Sequence, residues 1–234
     1  MRRFLTVISC ALALLSCTKA LDPGSIVKTT ITVDDPTDVT PFSANISARV
    51  IPGTGVTYAW PNMLFSTSPY PEGNNMGHNG FSGDDSDRKY TFFFRDLKPG
   101  TTYYYRASVE YEMVFDYKTV YSETKSFSTP ALEPFIVTHP IESEPNLIMR
   151  GSLSVAPELI PSEYSLSYYF SCGTRNSTTG EMIVEEVRGA HRESDESFTA
   201  DFPWTVGENT VGFFKAGVFY YGEYYWGEEQ TFTK

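Results

Sequence analysis

Residues 97–109 read LKPGTTYYYRASV. Pro99-Gly100 is a turn signal, because proline presets φ for the first turn position and glycine accepts backbone angles closed to other residues. Beyond the turn the pattern alternates. Tyr103, Tyr105, Ala107 and Val109 share one face of a strand, and Tyr104, Arg106, Ser108 and Glu110 share the other. Leu97 is placed to plug the edge of a core. Tyr103 is placed to return its hydroxyl to the backbone just upstream, the tyrosine corner that joins the two sheets of a β-sandwich.

The same period of two runs through the chain. Phe42, Ala44, Ile46, Ala48 and Val50 alternate with Ser43, Asn45, Ser47 and Arg49, and Leu147, Met149, Gly151, Leu153 and Val155 repeat the pattern. One face of each strand is therefore buried, and no stretch carries the 3.6 period of a helix. ISARV (46–50) aligns with GSLSV (151–155), MLFST (63–67) with YYFSC (168–172), and ETKSFST (123–129) with EEQTFTK (228–234), all at an offset of 105 residues. The chain is thus a duplicated module. TPALEPF (129–135), with two prolines, reads as a short semi-rigid linker. Trp60 continues the Val56, Tyr58 alternation and Trp204 aligns with Leu97, so both are expected in cores.

A module of about 100 residues with some seven short strands reads as an immunoglobulin-like sandwich. The expected fold is all-β, with two tandem immunoglobulin-like sandwiches after a signal peptide. LKPGTTYYYRASV with its closing SETKSFST resembles the end of a fibronectin type III domain, in the variety common in Bacteroidetes lipoproteins. The resemblance covers residues 26–130. The second half, 131–234, is a divergent copy: FPWTVGENTVGFFKAGV has about two extra residues at the corner and no tyrosine there.

The N-terminus, MRRFLTVISCALALLSC, has two arginines, an apolar run too short for an ordinary membrane span, and Leu14-Leu15-Ser16-Cys17. These four residues resemble the bacterial lipobox. The resemblance implies a signal peptide over 1–16, a diacylglycerol on Cys17, and a tether over 17–25. Acyl chains at roughly 0.8 kcal/mol per buried methylene hold a domain on a bilayer without a spanning segment. Thr18, rather than aspartate, follows the cysteine, which implies the outer membrane; surface exposure is an open alternative. Cys10 leaves with the signal and Cys17 carries lipid, so Cys172 stands alone and is read as a small buried hydrophobe.

A net charge of −11 without a basic cluster in the body of the chain disfavours nucleic acid as a partner. His78, His139 and His191 fall in stretches that read as loop or linker. Asp84, Asp85 and Asp87 offer oxygen ligands for calcium but lack the spacing of a known calcium loop, so no metal is expected. No nucleophile elbow, zinc pair or phosphate loop occurs. Neither catalytic residues nor a cofactor are therefore expected, and a glycan-active hydrolase is the remote alternative. The expected function is binding or spacing in the cell envelope, with polysaccharide or an envelope protein as partner. Its candidate residues lie in FYYGEYYW (219–226): Phe219, Tyr221, Tyr224, Tyr225 and Trp226, aromatics on a hairpin whose flat faces suit sugar rings or a protein partner.

Overall fold

The computed structural model describes residues 27–72, 75–77, 81–82, 88–113, 116–142, 146–161, 166–192 and 197–233. Cys17, His78, Asp84, Asp85 and Asp87 lie outside the described residues. The fold is all-β, built as two sandwiches; its helical content among the described residues is two single 3-10 turns, Glu133–Phe135 and Pro157–Leu159.

The first sandwich contains β1 (Thr30–Val33), β2 (Ala44–Ile51), β3 (Val56–Ser66), β4 (Asn75–Gly77), β5 (Phe81–Ser82), β6 (Arg88–Phe94), β7 (Thr102–Met113), β8 (Asp116–Tyr121) and β9 (Lys125–Ser128). One sheet is ordered β1-β2-β6. The other is ordered β4-β3-β7-β8, with β5 on β3 and β9 on β7. Ala44, Ile46, Ala48 and Val50 meet Tyr105, Ala107 and Val109 in a single core. The alternation of the sequence thus becomes the inner faces of the two sheets.

The second sandwich contains β10 (Ile136–Thr138), β11 (Ile148–Leu153), β12 (Leu166–Asn176), β13 (Met182–Arg188), β14 (Ala190–Arg192), β15 (Ser197–Asp201), β16 (Thr210–Tyr220), β17 (Glu223–Trp226) and β18 (Gln230–Phe232). Its sheets run β10-β11-β15-β14 and β13-β12-β16-β17, with β18 on β16. Cys172 is fully buried there, its thiol pushed up to about 12 by burial and then by Glu185, which makes it unreactive. His191 belongs to β14 rather than to a loop.

The registers refine the 105-residue repeat. Leu97 donates its N–H to the Phe42 carbonyl (2.9 Å), and Phe202 donates to Leu147 (2.8 Å), so both members of that pair recur 105 residues on. Leu97 therefore corresponds to Phe202, and Trp204 lies two residues further along and half-buried instead of taking Leu97's place. Phe127 pairs with Tyr103, whereas Phe232 pairs with Gly212. The stretch from Phe202 to Gly212 is four residues longer than that from Leu97 to Tyr103. The extra length sits at the corner.

Trp60 also departs from expectation. The register of β3 against β7 shifts between Val56 and Tyr58, a β-bulge that turns the rest of the strand over. Val56, Ala59, Met63 and Phe65 face the core, while Tyr58 and Trp60 face outward, their rings 4.6 Å apart.

Candidate functional site

The two-residue connection Tyr221-Gly222 sets the second hairpin. Both residues have positive φ, 52° and 80°, as a tight hairpin turn requires, and Tyr220 pairs with Glu223 across it. This register places Phe219 opposite Tyr224 and Val218 opposite Tyr225. Tyr225 therefore faces the core with Val218 and is buried, so it does not belong to an exposed aromatic surface. Burial, followed by the Glu223 carboxylate that accepts its hydroxyl, pushes Tyr225 up to about 12.

Phe219, Tyr224 and Trp226 come together on the outer face of the β13-β12-β16-β17 sheet. Tyr169 of β12 joins them, 5.4 Å edge-on from Tyr224 and 6.5 Å from Phe219. Tyr224 and Trp226 are parallel to within 5°, at 5.4 Å between centroids. A Cβ on Gly217 would lie 2.2 Å from the Trp226 ring, so the indole rests flat on bare backbone. Lys215 Nζ approaches that ring at 5.2 Å. Tyr224 is 42% exposed; its residual burial and then Glu186 raise its hydroxyl above the ordinary value. The result is a preformed row of rings with a cation at one side and a carboxylate at the other.

Tyr221 points outward at 58% exposure but is turned to a different task. Its hydroxyl donates to the Asp96 carbonyl of the first sandwich at 3.0 Å, and Lys98 pairs with Glu223 beside it at 2.7 Å. Asp96 also has a positive φ, 54°. Two residues in a region that costs roughly 1–2 kcal/mol each for a side chain thus meet at one contact. Phe42 completes the junction: it is fully buried in the core of the second sandwich, edge-on to Tyr220 at 5.3 Å. The presumed linker is packed as well, with Leu132 fully buried and Thr129 Oγ1 bonded to the Lys98 carbonyl at 2.7 Å.

Tyr169 was missed in the sequence because it sits some fifty residues from the hairpin and only strand pairing brings it there. A smaller outward group, Tyr58, Trp60 and Tyr117, lies on the corresponding sheet of the first sandwich. His139 Nε2 lies 2.9 Å from Ser152 Oγ, yet among the described residues no third group orients the ring, as nucleophile activation requires. No cluster of three or more His, Cys, Asp or Glu side chains among the described residues is placed to hold a metal ion. Nor is any helix among them long and apolar enough to cross a membrane.

No protein-family model matches the chain, and no curated protein matches it. Similar solved structures include the sensor domain of the anti-sigma factor RsgI4 in Pseudobacteroides cellulosolvens in three determinations. The short form is 25% identical over 44% of this chain and 96% of that one, with a TM-score of 0.35. The long form is 24% identical over 45% and 93%, with 0.34. The solution structure is 24% identical over 45% and 78%, with 0.35. At these scores the functional reading rests on the site alone.

Proposed function

We propose that this chain is a non-enzymatic, lipid-anchored protein of the bacterial outer membrane whose second sandwich captures polysaccharide on Tyr169, Phe219, Tyr224 and Trp226. The fibronectin type III identity of its modules and the lipid on Cys17 belong to the same proposal. One observation carries the binding reading: Tyr224 and Trp226 are parallel, partly exposed and held in place before any ligand arrives. Trp226 lies on Gly217 and Tyr224 is braced by Tyr169, so little side-chain entropy remains to be lost on binding. Flat rings offer the apolar face of a pyranose a large rigid contact, and Lys215, Glu186 and Ser171 stand on the same sheet for its hydroxyls.

The test is titration of the detergent-solubilised full-length chain with a panel of polysaccharides beside a Tyr224→Ala, Trp226→Ala double variant. Saturable binding lost in the variant is expected, with Tyr221→Ala leaving affinity unchanged because that side chain serves the junction. Binding equally strong in the double variant would overturn the site. The anchor is checked in cells by labelling with a clickable fatty acid, which should disappear in Cys17→Ala.

A further inference from the structure

Among the described strands of four or more residues, two contain no buried side chain: β8 (Asp116–Tyr121) and β13 (Met182–Arg188). Each ends its sheet, β8 beyond β7 and β13 beyond β12, and among the described residues each pairs on one side only. A strand that ends its sheet with neither face covered leaves a row of backbone N–H and C=O groups for another strand. Apolar side chains are left over as well. Tyr117 and Tyr121 of β8, and Met182, Ile183 and Val184 of β13, stand about half exposed or more. β17, at the other side of β13's sheet, differs: Tyr225 is buried and Glu223 is held by Lys98 of the first sandwich.

We propose that β8 of one copy of this chain pairs antiparallel with β13 of a second copy, joining the two through a continuous sheet. Charges on an edge strand ordinarily keep other strands away, but these two edges carry them in complementary order. With Lys118 opposite Glu186, Asp116 falls opposite Arg188 and Val120 opposite Val184 on one face. On the other face Tyr117, Thr119 and Tyr121 fall opposite Val187, Glu185 and Ile183. All six residues of β8 are then matched without a like-charge pair. Slipping the register by two residues, which keeps the faces, sets Asp116 against Glu186 in one direction and Lys118 against Arg188 in the other. The register is therefore specified. Self-pairing is poorer: β13 in full overlap with itself sets Glu185 against Glu185, and β8 in full overlap with itself gives Asp116 and Lys118 no opposite charge. Lys118 and Asp116 meet on their own strand at 3.5 Å, but both are exposed, and so weak a pair exchanges readily for partners across a strand boundary.

The test is sedimentation of the detergent-solubilised full-length chain, with micelles in excess over protein and no saccharide present. Association that grows with concentration is expected. Reversing the charges of β8 (Asp116→Lys with Lys118→Glu) or those of β13 (Glu186→Lys with Arg188→Glu) should weaken it about tenfold or more, because like charges then face each other. An equimolar mixture of the two variants should associate as the parent does, since each reversed edge meets its complement on the other chain. Hydrogen exchange supplies a second reading: amides of β8 and β13 should slow together as the concentration rises. A chain that stays monomeric at every concentration overturns the pairing. So does either variant associating as the parent does, which would mean that one edge pairs with itself or that another surface is used. A mixture no better than its components, or slowing at one edge alone, overturns it as well. The measurement is made without saccharide, so it stands or falls separately from polysaccharide binding on the aromatic row.

Discussion

The two corners that join the sheets of each sandwich solve one problem in different ways. In the first, Tyr103 closes the turn by accepting the Lys98 N–H at 2.8 Å, and Phe65, Phe127 and Tyr103 stack behind it. In the second, Gly212 stands opposite Phe232 and leaves room for that ring; a Cβ there would come within 2.4 Å of it. One corner is stapled by a hydrogen bond and covered by its neighbour. The other is packed by an aromatic ring, unstapled, and opens on a cavity. A repeat can thus retain its strand pairing while one end of it changes from a closed joint to an open one.

The largest effect expected from this contrast is at Phe42, which belongs to the first module by sequence and to the second core by packing. Phe42→Ala should cost about 3–5 kcal/mol, as for a fully buried aromatic. Chemical denaturation read from Trp204 and Trp226 for the second sandwich and from Trp60 for the first should show the loss mainly in the second. An equal loss in both would break the assignment.

The corners come next. Tyr103→Phe leaves the Lys98 N–H without its acceptor and should cost about 1–3 kcal/mol. Gly212→Ala should cost a similar amount, about 1–3 kcal/mol, through overpacking against Phe232. Thermal melts of the two variants check both. A second corner that accepted alanine without loss would mean that Phe232 is not its plug.

The smallest effect is electrostatic. The Lys98 ammonium, by hydrogen bond and by charge, holds Glu223 below the ordinary glutamate value. A lowered carboxylate stabilises the folded junction above its unfolded value and loses that contribution as the pH falls through the lowered one. The pair is solvent-exposed, so the effect is small and screened by salt. Thermal melts should therefore show a small, salt-sensitive loss of stability as the pH falls through the lowered Glu223 value. Lys98→Met should remove that pH dependence.

How much was legible in the sequence follows from what period two encodes. It gave the inner faces of β2, β7 and β11 correctly, since parity is enough when the strand is regular. Parity is not phase. The bulge after Val56 reversed the facing of Trp60, which no alternation count detects. Tyr225 was recoverable: a two-residue Tyr-Gly turn forces Val218 opposite Tyr225, and Val218 is a core residue. Tyr169 and the roles of Tyr221 and Phe42 were not recoverable, because each depends on a contact between distant strands or between modules. The repeat was legible at β2 and β11 and at the end of each copy, but the loop lengths that vary between copies hid the true partner of Leu97.

The position of Phe42 also gives assembly of the molecule a direction. A chain that folds as it emerges, N-terminal module first, completes the first core before the second sequence is present. The second module then closes its core on a side chain already fixed in place, together with Leu132 and Tyr220. The first module needs no such loan, for its own core is drawn from residues 31–127. Order of synthesis and order of dependence therefore run the same way along the chain, and the earlier module serves as a template for the later one.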